Sequence, residues 1–167
     1  TFNENLNLLA RTQVTTWDMV RTEKFPYSAG TYGRDERRGD YREDRRSLFE
    51  NNTELLLTFD KDILPGFNTK INAGVSQRVF QYKSIFASTN YLNVPGLYNF
   101  SNSSNPVQVA NFGSDMNVLS AYYSADLSYK KYLTVFATGR VDKLSTLPAG
   151  KNSFFYPSFG AVSVISD

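Results

Sequence analysis

Apolar and polar residues alternate along much of this chain, and the clearest case lies at 117–129. One side of that segment is apolar, whereas the other is mainly polar. The apolar set is Leu119, Ala121, Tyr123, Ala125 and Leu127, and the other set is Ser120, Tyr122, Ser124, Asp126 and Ser128. A period of two predicts a β-strand with two unlike faces. The alternation resumes after Lys130 and Lys131, which predicts a hairpin with a very short turn.

Similar alternation predicts six strands in all. Their approximate ranges are 5–21, 46–60, 67–82, 117–129, 132–142 and 154–166. Apolar residues seldom recur at helical spacing, so the sequence predicts an all-β fold, an antiparallel up-and-down meander of about six strands.

The connections between the predicted strands alternate in length. Long connections at 22–45 and 83–115 alternate with short turns at 61–66 and 130–131, and a medium loop at 143–153 follows. All long connections then lie at one end of the meander, as in outer-membrane barrels. A tilted strand of about 9–11 residues crosses a bilayer, and the predicted strands reach that length. The pattern therefore predicts part of a large transmembrane β-barrel.

The number of strands restricts this interpretation. Single-chain bacterial barrels start at about eight strands, and an open sheet in lipid would leave two unpaired edges. We therefore expect a section of a larger barrel. A start at Thr1 without Met favours a mature product, a trimmed chain or an internal fragment. The alternative is a soluble β-sandwich, a glycan-binding or adhesin-like module whose aromatic residues fill its core.

Composition excludes several kinds of chemistry. The chain has no Cys and no His, which removes disulfides, thiol nucleophiles, the Ser-His-Asp triad and the usual zinc sites. Its net charge of +2 gives no indication of nucleic-acid binding. A glycosidase would need a carboxylate pair, and Asp60 and Asp62 fall in a predicted turn, where polar turn chemistry accounts for them. We expect no enzyme activity, no catalytic residue, no metal and no cofactor.

A series of short motifs occurs in a fixed order in the last third of the chain. They are Ser120-Ala121-Tyr122-Tyr123, Asp126-Leu127-Ser128-Tyr129-Lys130, Gly139-Arg140-Val141-Asp142, Ser145-Thr146-Leu147-Pro148 and Asn152-Ser153-Phe154-Phe155-Tyr156-Pro157-Ser158. Their order resembles the SusC-like (RagA-like) TonB-dependent outer-membrane transporters of Bacteroidetes. The segment 93–103 looks like the loop that precedes this strand pair in the family. The resemblance covers 46–167 well and 1–45 only in pattern.

This resemblance implies a nutrient importer in the bacterial outer membrane that takes up oligosaccharides or oligopeptides. The implied partners are the remainder of the same barrel and its plug, outer-membrane lipid, and a SusD-like surface lipoprotein that forms a lid. TonB would act indirectly, because the plug and the TonB-contacting segment of the family are absent from this chain.

The two long connections carry the candidate contacts with substrate or lid. They are Arg37 and Arg38 in the charged run 34–46, and Tyr91, Tyr98 and Phe100 in 83–115. Aromatic rings beside amides suit sugar rings and protein surfaces. The alternatives are a solvated loop with internal ion pairs, and aromatic residues that pack the second connection against itself.

The alternating strands predict which side chains face lipid and which face the barrel interior. Lipid-facing positions are Leu119, Ala121, Leu127, Leu133 and Val135. Asp126 and Arg140 lie on the polar faces of neighbouring predicted strands. We expect them to face the lumen and to pair across the hairpin.

Overall fold

The computed structural model describes residues 3–29, 36–130 and 132–165. Six strands and one short 3-10 helix form in these ranges. The strands are β1 (Leu6–Phe25), β2 (Asp40–Leu64), β3 (Phe67–Leu92), β4 (Ser103–Tyr129), β5 (Leu133–Leu144) and β6 (Ser153–Ser163), and the helix is Phe100–Asn102. The strands form one sheet in the order β1-β2-β3-β4-β5-β6, which confirms the predicted six-stranded antiparallel meander. No helix within the described ranges has the length and apolar character needed to cross a membrane.

β1, β2, β3 and β4 extend well into the predicted long connections, so those connections are wrong in extent. The connection predicted at 22–45 is reduced to 26–39, and the one predicted at 83–115 is reduced to 93–102. Backbone pairing requires only N–H and C=O groups, so polar and charged segments continue the ladder without an apolar face. Residues 30–35, which include Arg34 and Asp35 of the charged run, lie outside the described residues.

The turn between β2 and β3 is tighter than predicted. β2 continues to Leu64, and only Pro65 and Gly66 separate it from β3, with Gly66 at φ +82°. Asp60 and Asp62 therefore lie on a strand rather than in a turn, and both accept a hydrogen bond from the Asn68 amide at 3.1 Å.

The connection between β4 and β5 includes Lys130, at φ +48°, and Tyr132. The predicted turn residue Lys131 lies outside the described residues. So does Ser166, which was predicted to lie at the end of the last strand.

The chain divides into two compact units. Unit 1 contains Thr1–Val14, Glu50–Phe80 and Met116–Asp167, and unit 2 contains Thr15–Phe49 and Gln81–Asp115. Unit 1 therefore holds the two short turns together with all of β5 and β6. Unit 2 contains the end of β1, the start of β2, the end of β3 and the start of β4, together with the two longer connections.

Very few apolar side chains are buried. Within the described ranges, Leu92 is the only buried hydrophobic residue. The other buried side chains there are polar: Asp40, Ser88, Thr89, Asn102 and Ser120. The sheet therefore has no hydrophobic core of its own in the described part of the chain.

Candidate functional site

Unit 1 presents an exposed apolar face. In the register of β4 and β5, Leu127 lies opposite Val135 and Tyr129 lies opposite Leu133. Earlier strands contribute to the same face, because one shallow groove is lined by Leu8, Leu55, Leu57, Ala73, Val75 and Ala121. The predicted lipid-facing residues Leu119, Ala121, Leu127, Leu133 and Val135 all lie on this apolar face. Leu119 is 56% exposed and Val135 is 47% exposed.

The opposite face of unit 1 is polar and contains a groove of about 450 Å³. We call it the arginine groove. It is lined by Arg11, Thr12, Gln13, Asn52, Thr53, Glu54, Ser76, Gln77, Arg78, Val118, Ser120 and Arg140. Glu54 connects three strands here, because its carboxylate forms an ion pair with Arg11 on β1 and accepts a hydrogen bond from Tyr122 on β4.

A glycine on β3 allows this connection. The ring of Tyr122 lies over Gly74, where an added Cβ would overlap ring atoms. A side chain at position 74 would therefore displace the ring whose hydroxyl group reaches Glu54.

Two further ion pairs border the arginine groove. Arg78 Nε and Nη2 donate to the two carboxylate oxygens of Glu50 at 2.9 and 3.1 Å. Arg140 Nε donates to Asp142 Oδ1 at 2.8 Å, and its Nη2 donates to Ser120 Oγ at 3.0 Å. Each arginine is thereby fixed in direction by an acidic neighbour.

The expected pairing of Asp126 with Arg140 is wrong. Arg140 lies opposite Tyr122, and Asp126 lies opposite Phe136. Both residues lie on the polar face, but the four-residue offset separates them by roughly 13 Å along the strands. Asp142 lies two residues from Arg140 on the same strand and the same face, so it accepts the hydrogen bond from the Arg140 guanidinium in place of Asp126.

Hydrogen bonds to one backbone carbonyl hold the first connection of unit 2 against the end of β3. The C=O of Leu92 accepts from Tyr27 Oη at 3.0 Å and from Arg38 Nη2 at 3.2 Å. Arg38 Nη2 also donates to Ser104 Oγ at 2.6 Å. Arg38, a predicted contact residue, thus ties the first connection to the end of β3 and the start of β4, which flank the second connection.

The aromatic candidates also have partners within unit 2. The Tyr91 ring centroid lies 6.0 Å from the Arg38 guanidinium carbon, and Tyr91 has a φ of +62°. Phe100 packs edge-on against Tyr41, with 4.9 Å between ring centroids. Arg38 and Tyr41 both lie outside 83–115, so in these contacts the aromatic side chains pack against other segments rather than against the second connection itself.

The other two predicted contact residues, Tyr98 and Arg37, make fewer contacts within unit 2. Tyr98 lies 5.7 Å from Lys24 Nζ, and Arg37 is exposed. The structure therefore brings Arg38 and Tyr91 together, and it does not gather all five candidates into one site.

Buried polar side chains in unit 2 were missed by the sequence reasoning. Asp40 Oδ1 accepts hydrogen bonds from the Tyr91 backbone N at 3.2 Å and from Thr89 Oγ1 at 3.4 Å. Asn102 acts similarly, because its amide donates to the carbonyls of Val94 and Leu97 at 2.9 and 2.7 Å. The partners of Asp40 lie on β3, about fifty residues away, whereas those of Asn102 lie five and eight residues before it in the same connection.

The part of the charged run that begins β2, residues 40–46, carries a strand signal in the spacing of its charges. Oppositely charged residues two positions apart pair along β2: Glu43 with Arg45 at 2.9 Å, and Asp44 with Arg46 at 2.6 Å. Residues two apart share a strand face. The Tyr41 hydroxyl and then Arg45 hold the pKa of Glu43 below its ordinary value, and Arg46 does the same for the pKa of Asp44.

Metal ligands are not grouped in the described ranges. No cluster of three or more Asp, Glu, His or Cys side chains that could hold a metal ion occurs there.

Comparison with known proteins finds similarity at the level of the fold. No protein-family model matches the chain, and no curated protein matches it. The RagAB peptide transporter matches 95% of this chain with a TM-score of 0.85 and 15% sequence identity. The RagAB peptide importer matches 96% in both its open-open and closed-closed states, again with a TM-score of 0.85, at 16% identity. The chain spans 18% of the length of each of these chains, so its fold is that of a section of a larger chain.

Proposed function

We propose that this chain is a section of the barrel wall of a TonB-dependent importer in the bacterial outer membrane. The observation that carries the proposal is the exposed apolar face of unit 1 in a sheet whose described residues form no hydrophobic core. Exposed apolar surface of this kind needs a partner, and hydrocarbon lipid is the partner that suits a strand with one apolar and one polar face.

The height of the apolar face supports this assignment. On β4 it extends from Leu119 to Tyr129. Its end at Leu119 is marked by polar residues, because Lys143 lies directly opposite Leu119 and Asn117 lies two residues before it. At about 3.4 Å per residue and a tilt of roughly 40°, this segment rises about 26 Å. Outward-facing apolar bands of membrane barrels are about 25 Å tall.

The edges of the sheet support a larger barrel. Among the residues that the structure describes, β1 and β6 each pair with a strand on one side only. Hydrocarbon does not tolerate unpaired backbone groups, so further strands of the same protein complete the ring. The polar face then lines the interior of the ring, which also holds the plug of the whole protein.

The proposed cargo and partners follow from the sequence resemblance and from the fold neighbours. The whole protein takes up oligosaccharides or oligopeptides, TonB acts through parts outside this chain, and a SusD-like lipoprotein covers the connections of unit 2. Arg37, Arg38, Tyr91, Tyr98 and Phe100 are the proposed contacts with substrate or lid. The chain itself has no enzymatic role in this proposal.

The soluble β-sandwich is less well supported. A sandwich requires a second sheet packed on the first, and the described residues form one sheet with its apolar face exposed.

Fractionation of cells that express the native protein tests the proposal. Immunoblotting with an antibody against this sequence is expected to detect a heat-modifiable band in the outer membrane, far above 18.9 kDa. A band near 18.9 kDa in the soluble fraction would overturn the proposal.

A further inference from the structure

In the arginine groove the guanidinium groups are more exposed than the carboxylates that pair with them. The side chains of Arg11, Arg78 and Arg140 are 68%, 48% and 49% exposed. Their acidic partners are far less accessible, with Glu54 at 18%, Glu50 at 21% and Asp142 at 18%. A molecule that enters the groove would therefore meet cationic groups first.

Each guanidinium is held in place and still has N–H donors to offer. Contacts with protein engage Nε of Arg11, and Nε and Nη2 of Arg78 and of Arg140. For Nη1 of the latter two arginines, the described residues supply no acceptor. An arginine carries a planar set of donors that matches a carboxylate in two parallel hydrogen bonds.

We propose that the arginine groove is a binding site for the carboxylate of a peptide ligand. This inference rests on the proposed function, because it requires the polar face of unit 1 to line an aqueous interior. It narrows the ligand class from oligosaccharides or oligopeptides to peptides that carry a free carboxylate. The groove, at about 450 Å³, is within the usual size of a small-molecule pocket.

The fixed directions of the arginines support a built site rather than a loose basic patch. Arg140 is oriented by both Asp142 and Ser120, and Arg78 is oriented by a two-point contact with Glu50. Pre-oriented donors lose little conformational entropy when a ligand binds. Binding should therefore depend on the forked shape of arginine as well as on its charge.

Calorimetric titration of the full-length protein, purified in detergent, tests the site. The probes are N-acetylated tetra-alanine with a free C-terminal carboxylate and the same peptide as its C-terminal amide. We expect the acid to bind at least tenfold more tightly than the amide. Arg78→Gln and Arg140→Gln should each weaken binding of the acid by roughly tenfold and leave the amide unaffected.

Two further variants sharpen the test. Arg140→Lys keeps the charge and loses the fork, so it should also weaken binding of the acid. Arg45→Gln removes an exposed, ion-paired arginine from unit 2 and should leave binding unchanged. Heat-modifiable mobility on gels shows that each variant is folded.

Two results would overturn the inference. One is equal binding of acid and amide by the wild-type protein. The other is unchanged peptide binding by the glutamine variants together with a lower melting temperature, which would mean that a segment of the same protein occupies the groove. Neither result bears on membrane location, which cell fractionation reports separately.

Discussion

Tyr123 on β4 lies directly opposite Gly139 on β5, and its ring fills the space that a side chain at position 139 would need. An added Cβ would lie 2.5 Å from Cε1 of the ring, whereas carbon atoms pack at about 3.5–4.0 Å. Phe136 covers Gly160, its own partner on β6, in the same way. Aromatic rings that lie over glycines thus determine the side-chain packing between β4 and β5 and between β5 and β6.

Gly139→Ala is therefore expected to destabilise the protein by about 1–3 kcal/mol, because the tyrosine ring must move. Urea unfolding in lipid vesicles measures the change. Gly113→Ala is the control, since its Cβ would meet only the Tyr82 carbonyl, at 3.9 Å. When Tyr123→Ala is already present, Gly139→Ala should cause much less destabilisation. An undiminished cost there would contradict the proposed clash.

Val135→Arg should cost about 2–4 kcal/mol if this position lies near the middle of the bilayer. Val135 lies on the apolar face, opposite Leu127 and Ala161. Thr138→Arg on the polar face of the same strand is the control and should cost much less. Denaturant titration of refolding into vesicles measures the loss of stability in each variant. Equal losses would contradict the assignment of Val135 to the lipid-facing side and Thr138 to the interior side.

Tyr27→Phe should loosen the two connections of unit 2. The substitution removes the hydroxyl that donates to the carbonyls of Leu92 and Asn93, at a cost of about 1 kcal/mol, or roughly fivefold in local opening. Amide hydrogen exchange at 93–102 should accelerate accordingly. Tyr98→Phe is the matched control, and an equal acceleration there would show that the Tyr27 hydrogen bonds are not responsible.

Acidification should weaken β2 near Glu43. The Tyr41 hydroxyl and then Arg45 lower the pKa of this carboxyl in the folded protein. Its stabilising contribution is therefore fully present above the ordinary value of 4.5 and is lost as the pH falls through the folded pKa.

Hydrogen exchange at 40–49 in wild type and Glu43→Gln measures this effect at pH 6 and pH 3.5. The variant should exchange faster at pH 6, and the difference should shrink at pH 3.5. A constant ratio at the two pH values would argue against the linkage. Glu4→Gln controls for the removal of one exposed carboxylate.

The sequence predicted the elements that have two chemically unlike faces. Leu119 to Leu127 alternate with polar residues, and the alternation specified both the strand and the face that each residue occupies. β4 begins much earlier, at Ser103, because its first residues are paired through the backbone without an apolar stripe. Such a segment gives no hydrophobic signal.

The polar site was harder to predict for a different reason. Glu54 meets Arg11 and Tyr122 only after β1, β2 and β4 are brought into register, and pairing between distant strands leaves no local trace in a single sequence. Pairs such as Asp44 and Arg46 are the exception. Their two-residue spacing is itself a strand signal, because residues two apart share one face of a strand.

Unfolding of this sheet would transfer little apolar surface from a protein interior to water, because Leu92 is the only hydrophobic residue buried in the described ranges. The heat capacity of unfolding rises mainly with newly hydrated apolar surface. In a detergent that coats the unfolded chain, the unfolding enthalpy of this section should therefore vary little with temperature. The temperature dependence of its stability should therefore depend more on the lipid or detergent in contact with its apolar face than on the protein interior.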